Sequence, residues 1–239
     1  MKILALETSA KSVSAAVVEN GAVLASAYQN MGLTHSVTLM PLVDSMLKNA
    51  GLTAKDMELI AVAAGPGSFT GLRIGVSAAK GLAWALELPC CGVSTLEAMA
   101  ENARAFEGTV ICAMDARRQQ IYNAVFDCHD GALERRCEDR AVALELLAGE
   151  LKNDKNRKIV VGDGAKLCYK YLLEQGIPCS MAPADELYQK AVGVGLAAER
   201  MAAEGRTVTA QELCPVYLRL SQAERERLAK GLPITLDAK

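Results

Sequence analysis

KILALETSAKSVSAAVVENGAVLA, residues 2–25, decides the fold, because TVICAMDARRQQIYNAVFDCHDGALE, residues 109–134, repeats its plan. In each copy an apolar run ends on an acid, Glu7 in the first and Asp115 in the second. A short polar turn, a second apolar run, an Asn-Gly or Asp-Gly pair and a third run follow. The copies share little identity, but order and spacing agree to within about two residues, the usual slack of element boundaries. Asn-Gly and Asp-Gly accept the positive φ of tight hairpin turns, so each copy predicts three successive strands.

After the first copy the pattern predicts a helix over 36–50, closed by Gly51, and then a strand in MELIAVAAG, 57–65. A glycine-rich loop follows, with a helix over 72–88, a strand at CCGVST, 90–95, and a helix at LEAMAENARAF, 96–106. After the second copy come a helix over 139–151, a strand in RKIVVGDGA, 157–165, and helices over 165–175 and 188–204. Ser221 with Glu224 has the pattern of a capping box for a short charged tail helix. Strands alternating with helices, twice over, predict an α/β protein of two related lobes. We divide it into an N-terminal lobe, 1–105, a C-terminal lobe, 106–187, and C-terminal helices, 188–239, the first of which is expected to pack back on the N-terminal lobe.

Composition sets bounds. The 239 residues and 51% apolar content suit a well-packed core. The apolar runs fall short of the roughly 20 residues of a membrane span, and MKILALETS is too short for a secretory core. A cytoplasmic protein is expected. Eight cysteines include no C-x-x-C pair and only His129 as a neighbouring histidine, which predicts reduced core thiols rather than disulfides or a metal site. A net charge of −2 lacks the basic surplus of a chain that grips nucleic acid alone, so any RNA would be held by something else.

The loop AAGPGSFTGLRIG, 63–75, admits two readings. Gly65, Gly67 and Gly71 could bare backbone N–H groups to a phosphate at a helix N-terminus, or they could serve a tight turn with close helix–strand packing. The second is preferred where no acids hold a metal to neutralise a triphosphate. VGDGA, 161–165, resembles a phosphate loop only weakly. Asp115 with Arg117 and Arg118 reads as a solvated charge cluster on a hairpin turn. His35, without a neighbouring acid or nucleophile, reads as a contact at the start of a helix.

The helices carry a different signal. At 100° per residue, Leu39, Met40, Val43 and Leu47 lie on an apolar arc wider than a one-sided surface helix needs. On the next helix Gly75, Ala78 and Ala79 would let another backbone approach. Trp84, the only tryptophan, falls on the polar stripe of Arg73 and Lys80. We take these eight residues as a candidate interface with another protein; the competing reading covers both helices with the chain's own sheet and loops.

ILALETSAKSVSAAVV, AAGPGSFTGLRIGVSAAKGLAWALELPCCGVSTLEAMA, AMDARRQQIYNAVF, VGDGA and CPVYLRLSQAER together resemble the bacterial TsaB (YeaZ) family, in order and over nearly the whole chain. That family is a paralogue of TsaD, the enzyme that completes threonylcarbamoyladenosine on tRNA. The resemblance implies the actin, sugar-kinase and Hsp70 type of fold. It implies a TsaD-like partner, a TsaE-like ATPase as a further one, and tRNA met only indirectly; pairing with a second copy when alone is compatible with it. TsaD-like enzymes place two metal-binding histidines, four residues apart, where this chain has Thr95 and Met99. They also have two aspartates in the first turn, where Lys11 and Ser12 fall in the stretch Glu7 to Val13. A C-terminal aspartate motif has no counterpart. The resemblance therefore implies a non-catalytic partner subunit without metal or cofactor, with Gly65, Gly67 and Gly71 a vestigial phosphate loop. The alternatives are an ATP-dependent kinase of the same fold, against which Lys11 and Ser12 stand, and a metallopeptidase, against which Thr95 and Met99 stand.

Overall fold

The computed structural model of the chain describes residues 1–116, 120–219 and 227. The first lobe contains β1 (Lys2–Glu7), β2 (Val13–Glu19), β3 (Ala22–Gln29), α1 (His35–Asn49), β4 (Leu59–Gly65), α2 (Phe69–Leu86), β5 (Cys90–Ser94) and α3 (Thr95–Asn102). Its sheet has the order β3-β2-β1-β4-β5, antiparallel through β1–β2–β3 and parallel through β1–β4–β5. The second lobe repeats this with β6 (Gly108–Asp115), β7 (Gln120–His129), β8 (Ala132–Arg135), β9 (Arg140–Ala143), α4 (Leu144–Leu151), β10 (Lys158–Val161), α5 (Ala165–Glu174) and β11 (Ser180–Met181). The order is β11-β10-β6-β7-β8, and β9 pairs with β7 beyond the end of β8. Both hairpins turn on residues of positive φ: Asn20 (52°) with Gly21 (76°), and Asp130 (52°) with Gly131 (71°).

β1 is buried on both faces, as a central strand must be. Leu4 and Leu6 face the core formed with α1 and α2, while Ile3 and Ala5 face α6 (Ala191–Ala203). α6 lies across β1 and β2 beside α3, so this late helix closes the N-terminal sheet. Its glycines permit the approach: a Cβ on Gly195 would meet Val18, and one on Gly193 would overlap the Ala98 carbonyl. The two lobes thus form the duplicated arrangement of the actin, sugar-kinase and Hsp70 type.

One expected element is corrected. The helix predicted from 139 begins only at Leu144, because Arg140–Ala143 pairs as a strand with Gln120–Asn123. Arg140 there donates to Asn123 Oδ1 at 3.2 Å and to Glu150, a partnership made across sequence distance that local propensity does not contain. The capping pattern at Ser221 and Glu224, and Arg117 and Arg118, lie outside the described residues. All eight cysteines are free thiols.

Candidate functional site

The glycine loop leaves the end of β4 and enters α2, whose first turn is capped by Ser68: its Oγ accepts the Gly71 N–H at 3.3 Å. The loop is fastened to the turn after β1. Ser68 N–H donates to the Ser9 carbonyl at 2.7 Å, and Thr8 Oγ1 donates to the Gly71 carbonyl at 2.8 Å. The bare faces of the glycines point the same way. A Cβ on Gly67 would stand 2.6 Å from the Ser9 oxygen, and one on Gly71 would overlap the Thr8 carbonyl. Gly65, at φ 134°, is covered by the Val216 carbonyl. The glycines thus permit a close approach of the loop to the chain's own backbone, as the tight-turn reading expects.

Glu7, the acid that ends β1, is fully buried. Ser9 N–H donates to its Oε1 at 2.5 Å, and its Oε2 meets no donor among the described residues. Burial, with the charge of Asp163 nearby, pushes this carboxyl up to about 7. Asp163 stands in the loop after β10, also raised by burial, and accepts Gln189 Nε2 at 2.9 Å. Gln189 in turn takes Ser12 Oγ on its carbonyl at 3.2 Å. Through Gln189, hydrogen bonds join Ser12 of the first turn to Asp163 of the G-D-G loop, while Glu7 meets Asp163 only as a like charge. Ser12 thereby does a structural task, tying the first turn to Gln189. His35 contributes a 2.7 Å contact from Nε2 to the Ala10 carbonyl at the same turn.

Thr95 and Met99 are both buried in α3, Met99 within the core beneath β6. Among the described residues no three His, Cys, Asp or Glu side chains are grouped so as to hold a metal. Asp115, at the end of β6, is exposed.

The helical faces need correction. Leu39, Val43 and Leu47 are at most 5% exposed, packed on β2 and α2, and Gly75 and Ala79 are buried against β1 and β4. Val43, Leu47, Gly75 and Ala79 thus offer no surface to an interface in the folded chain, whereas Leu39, though buried, still lines the groove between α1 and α2. The wide arc is covered because α1 rests on a sheet and a neighbouring helix at once. Met40 (41% exposed) and Ala78 remain on the rim of an open groove of about 590 Å³ between α1 and α2. His35, Phe69, Arg73 and Ile74 complete that groove, and Val37, 71% exposed, stands beside it on α1. Arg73 is fixed over the Phe69 ring at 4.0 Å and donates to the Tyr217 hydroxyl at 3.1 Å. Tyr217 stacks on Phe69 at 4.7 Å, so residues near the chain's end brace the groove. The apolar arc read from the periodicity of α1 does not include Val37, nor does the sequence single out Phe69 and Ile74 of α2. Trp84 is 73% exposed at the far end of α2, away from the groove.

A duplicated actin-type scaffold, with its glycine loop hydrogen-bonded to its own first turn and a groove open between α1 and α2, defines the class of protein. The family model for tRNA N6-adenosine threonylcarbamoyltransferase, TsaD, matches residues 29–226. The chain is 34% identical over 233 residues to the tRNA threonylcarbamoyladenosine biosynthesis protein TsaB of Bacillus subtilis, covering 94% of this chain and 96% of that one. It is 33% identical to the TsaB of Escherichia coli, covering 92% and 95%. The solved structure of YeaZ from Pseudomonas aeruginosa superposes with a TM-score of 0.77 at 29% identity, over 91% of this chain and 99% of that one. The chain belongs to the TsaB (YeaZ) family.

Proposed function

We propose that this chain is the non-catalytic partner subunit in tRNA threonylcarbamoyladenosine biosynthesis, pairing with a TsaD-like paralogue through the groove between α1 and α2. The observation that carries this is the open groove itself, where Met40, Ile74 and Ala78 present apolar surface beside the exposed Val37. A paralogue of the same fold presents similar helices, so the two can meet in a pseudo-symmetric contact. The fastening of the glycine loop to the chain's own first turn supports leaving catalysis to the partner. The family names support the pathway. A TsaE-like ATPase is the further partner, and with a net charge of −2 this chain reaches tRNA through its partners.

Reconstitution tests the assignment of roles. Modification of tRNA should require both chains. Glu7→Gln here, which removes the buried acid nearest the old catalytic turn, should leave the rate of the complex within about twofold. Loss of modification with pairing intact would place chemistry in this chain.

A further inference from the structure

We infer that a second pocket, beside Trp84, receives a lysine or arginine side chain carried on a basic segment of a partner protein. The pocket, about 750 Å³, opens between the last turn of α2 and residues 207–212, and it shares no lining residue with the α1–α2 groove. Leu88, Val208 and Ala210 give it an apolar lining, Trp84 stands 73% exposed, and Glu87 and Glu212 supply two carboxylates. Glu87 occupies the left-handed residue that ends the helix, at φ 55°, where glycine is the easier choice. A carboxylate at that end also opposes the helix dipole. A cation facing the carboxylate would offset that unfavourable placement. Glu212 is fixed from below: its Oε2 accepts the Thr209 N–H at 3.0 Å and Thr209 Oγ1 at 2.8 Å, which hold its carboxyl below the usual range. Lys80 does not neutralise the pair, because its ammonium donates to the carbonyls of Gln211 and Leu213 at 3.1 and 3.0 Å. An apolar wall for an alkyl stem, an open indole face and two carboxylates are what a guanidinium or ammonium side chain requires. The same carboxylates repel phosphate, so the occupant is a protein segment.

Trp84 is the chain's only tryptophan, so its emission reports this pocket alone. The test titrates the full chain with acetyl-Gly-Arg-Gly-amide, its citrulline counterpart and its leucine counterpart, at low salt. The arginine peptide should give a saturable change with a dissociation constant on the order of millimolar, with citrulline roughly tenfold weaker. Combining Glu87→Gln with Glu212→Gln should abolish that preference while the circular dichroism spectrum is unchanged. Equal responses to arginine and citrulline, a preference retained in the double variant, or tighter binding of leucine would each overturn the inference. So would an emission shift that depends on protein concentration and tracks a dimer seen in sedimentation, with that dimer lost in Trp84→Ala; that result would mean a second copy fills the pocket.

Discussion

The Ser9 N–H and the carboxyl of Glu7 meet at 2.5 Å inside the fold, and such local hydrogen bonds do not offset the burial of the acid. Burial raises the folded-state pKa from 4.5 to about 7, so the native state holds this proton more tightly than the unfolded chain. The stabilisation from that proton is fully present below about pH 4.5 and is lost as pH rises through 7. Its size is at most about 3 kcal/mol. Glu7→Gln, which cannot ionise, should therefore be more stable than the parent at pH 8 and close to it at pH 5. Urea denaturation at the two pH values checks this; an equal difference at both would contradict it.

Glycines of α2 separate into two kinds. Gly71→Ala drives a Cβ into the Thr8 carbonyl and should cost about 2–3 kcal/mol. Gly81 has nothing within 4 Å of where its Cβ would stand, so Gly81→Ala should stabilise by about 0.5–1 kcal/mol. Paired thermal denaturation of the two variants reads both signs in one experiment.

The lobes are joined on the side of α3 by ions. Arg135 of β8 donates to Glu97 at 3.2 Å and to Asp139 at 2.7 Å, and Glu97 also accepts Arg200 of α6 at 2.8 Å. Arg135 and its two acids are less than a quarter exposed, so removing the cation leaves partly desolvated charges. Arg135→Ala should destabilise by about 1–3 kcal/mol, discounted for partial exposure. Its loss of packing over Phe126 at 4.7 Å is separated by Arg135→Met, which keeps the stem and should recover part of the loss. Chemical denaturation in urea measures both, and equal stability of all three chains would dissolve the network's role.

How the chain folds was legible where a signal was local. The two Asn-Gly and Asp-Gly hairpins, the acid ending β1 and the alternation of strands with helices lie in short stretches, and together they gave the duplicated lobes. β9 was not legible: Arg140–Ala143 precedes a helical run, and its strand character comes from pairing with Gln120–Asn123. The short β11 depends likewise on β10. At the candidate interface, a helical wheel shows that an arc is apolar but not what covers it. Val43 and Leu47 thus read as outward on the wheel although the sheet and α2 cover them, while Leu39 is both buried and part of the groove lining. The hydrogen-bonded link from Asp163 through Gln189 to Ser12 spans both lobes, and no spacing in the sequence announces it.

The most direct measurement is the affinity between this chain and the TsaD-like paralogue when a charge is placed in the groove. Ala78 lines that groove and is only partly buried, so Ala78→Glu should keep the monomer folded, by circular dichroism, and desolvate an unpaired carboxylate on association. Lys170→Ala, on the exposed face of α5, is the control. Calorimetric titration should show pairing weakened at least about 100-fold by Ala78→Glu, roughly 3 kcal/mol, and unchanged by Lys170→Ala. Normal pairing by a folded Ala78→Glu chain would contradict the groove as the site of partnership.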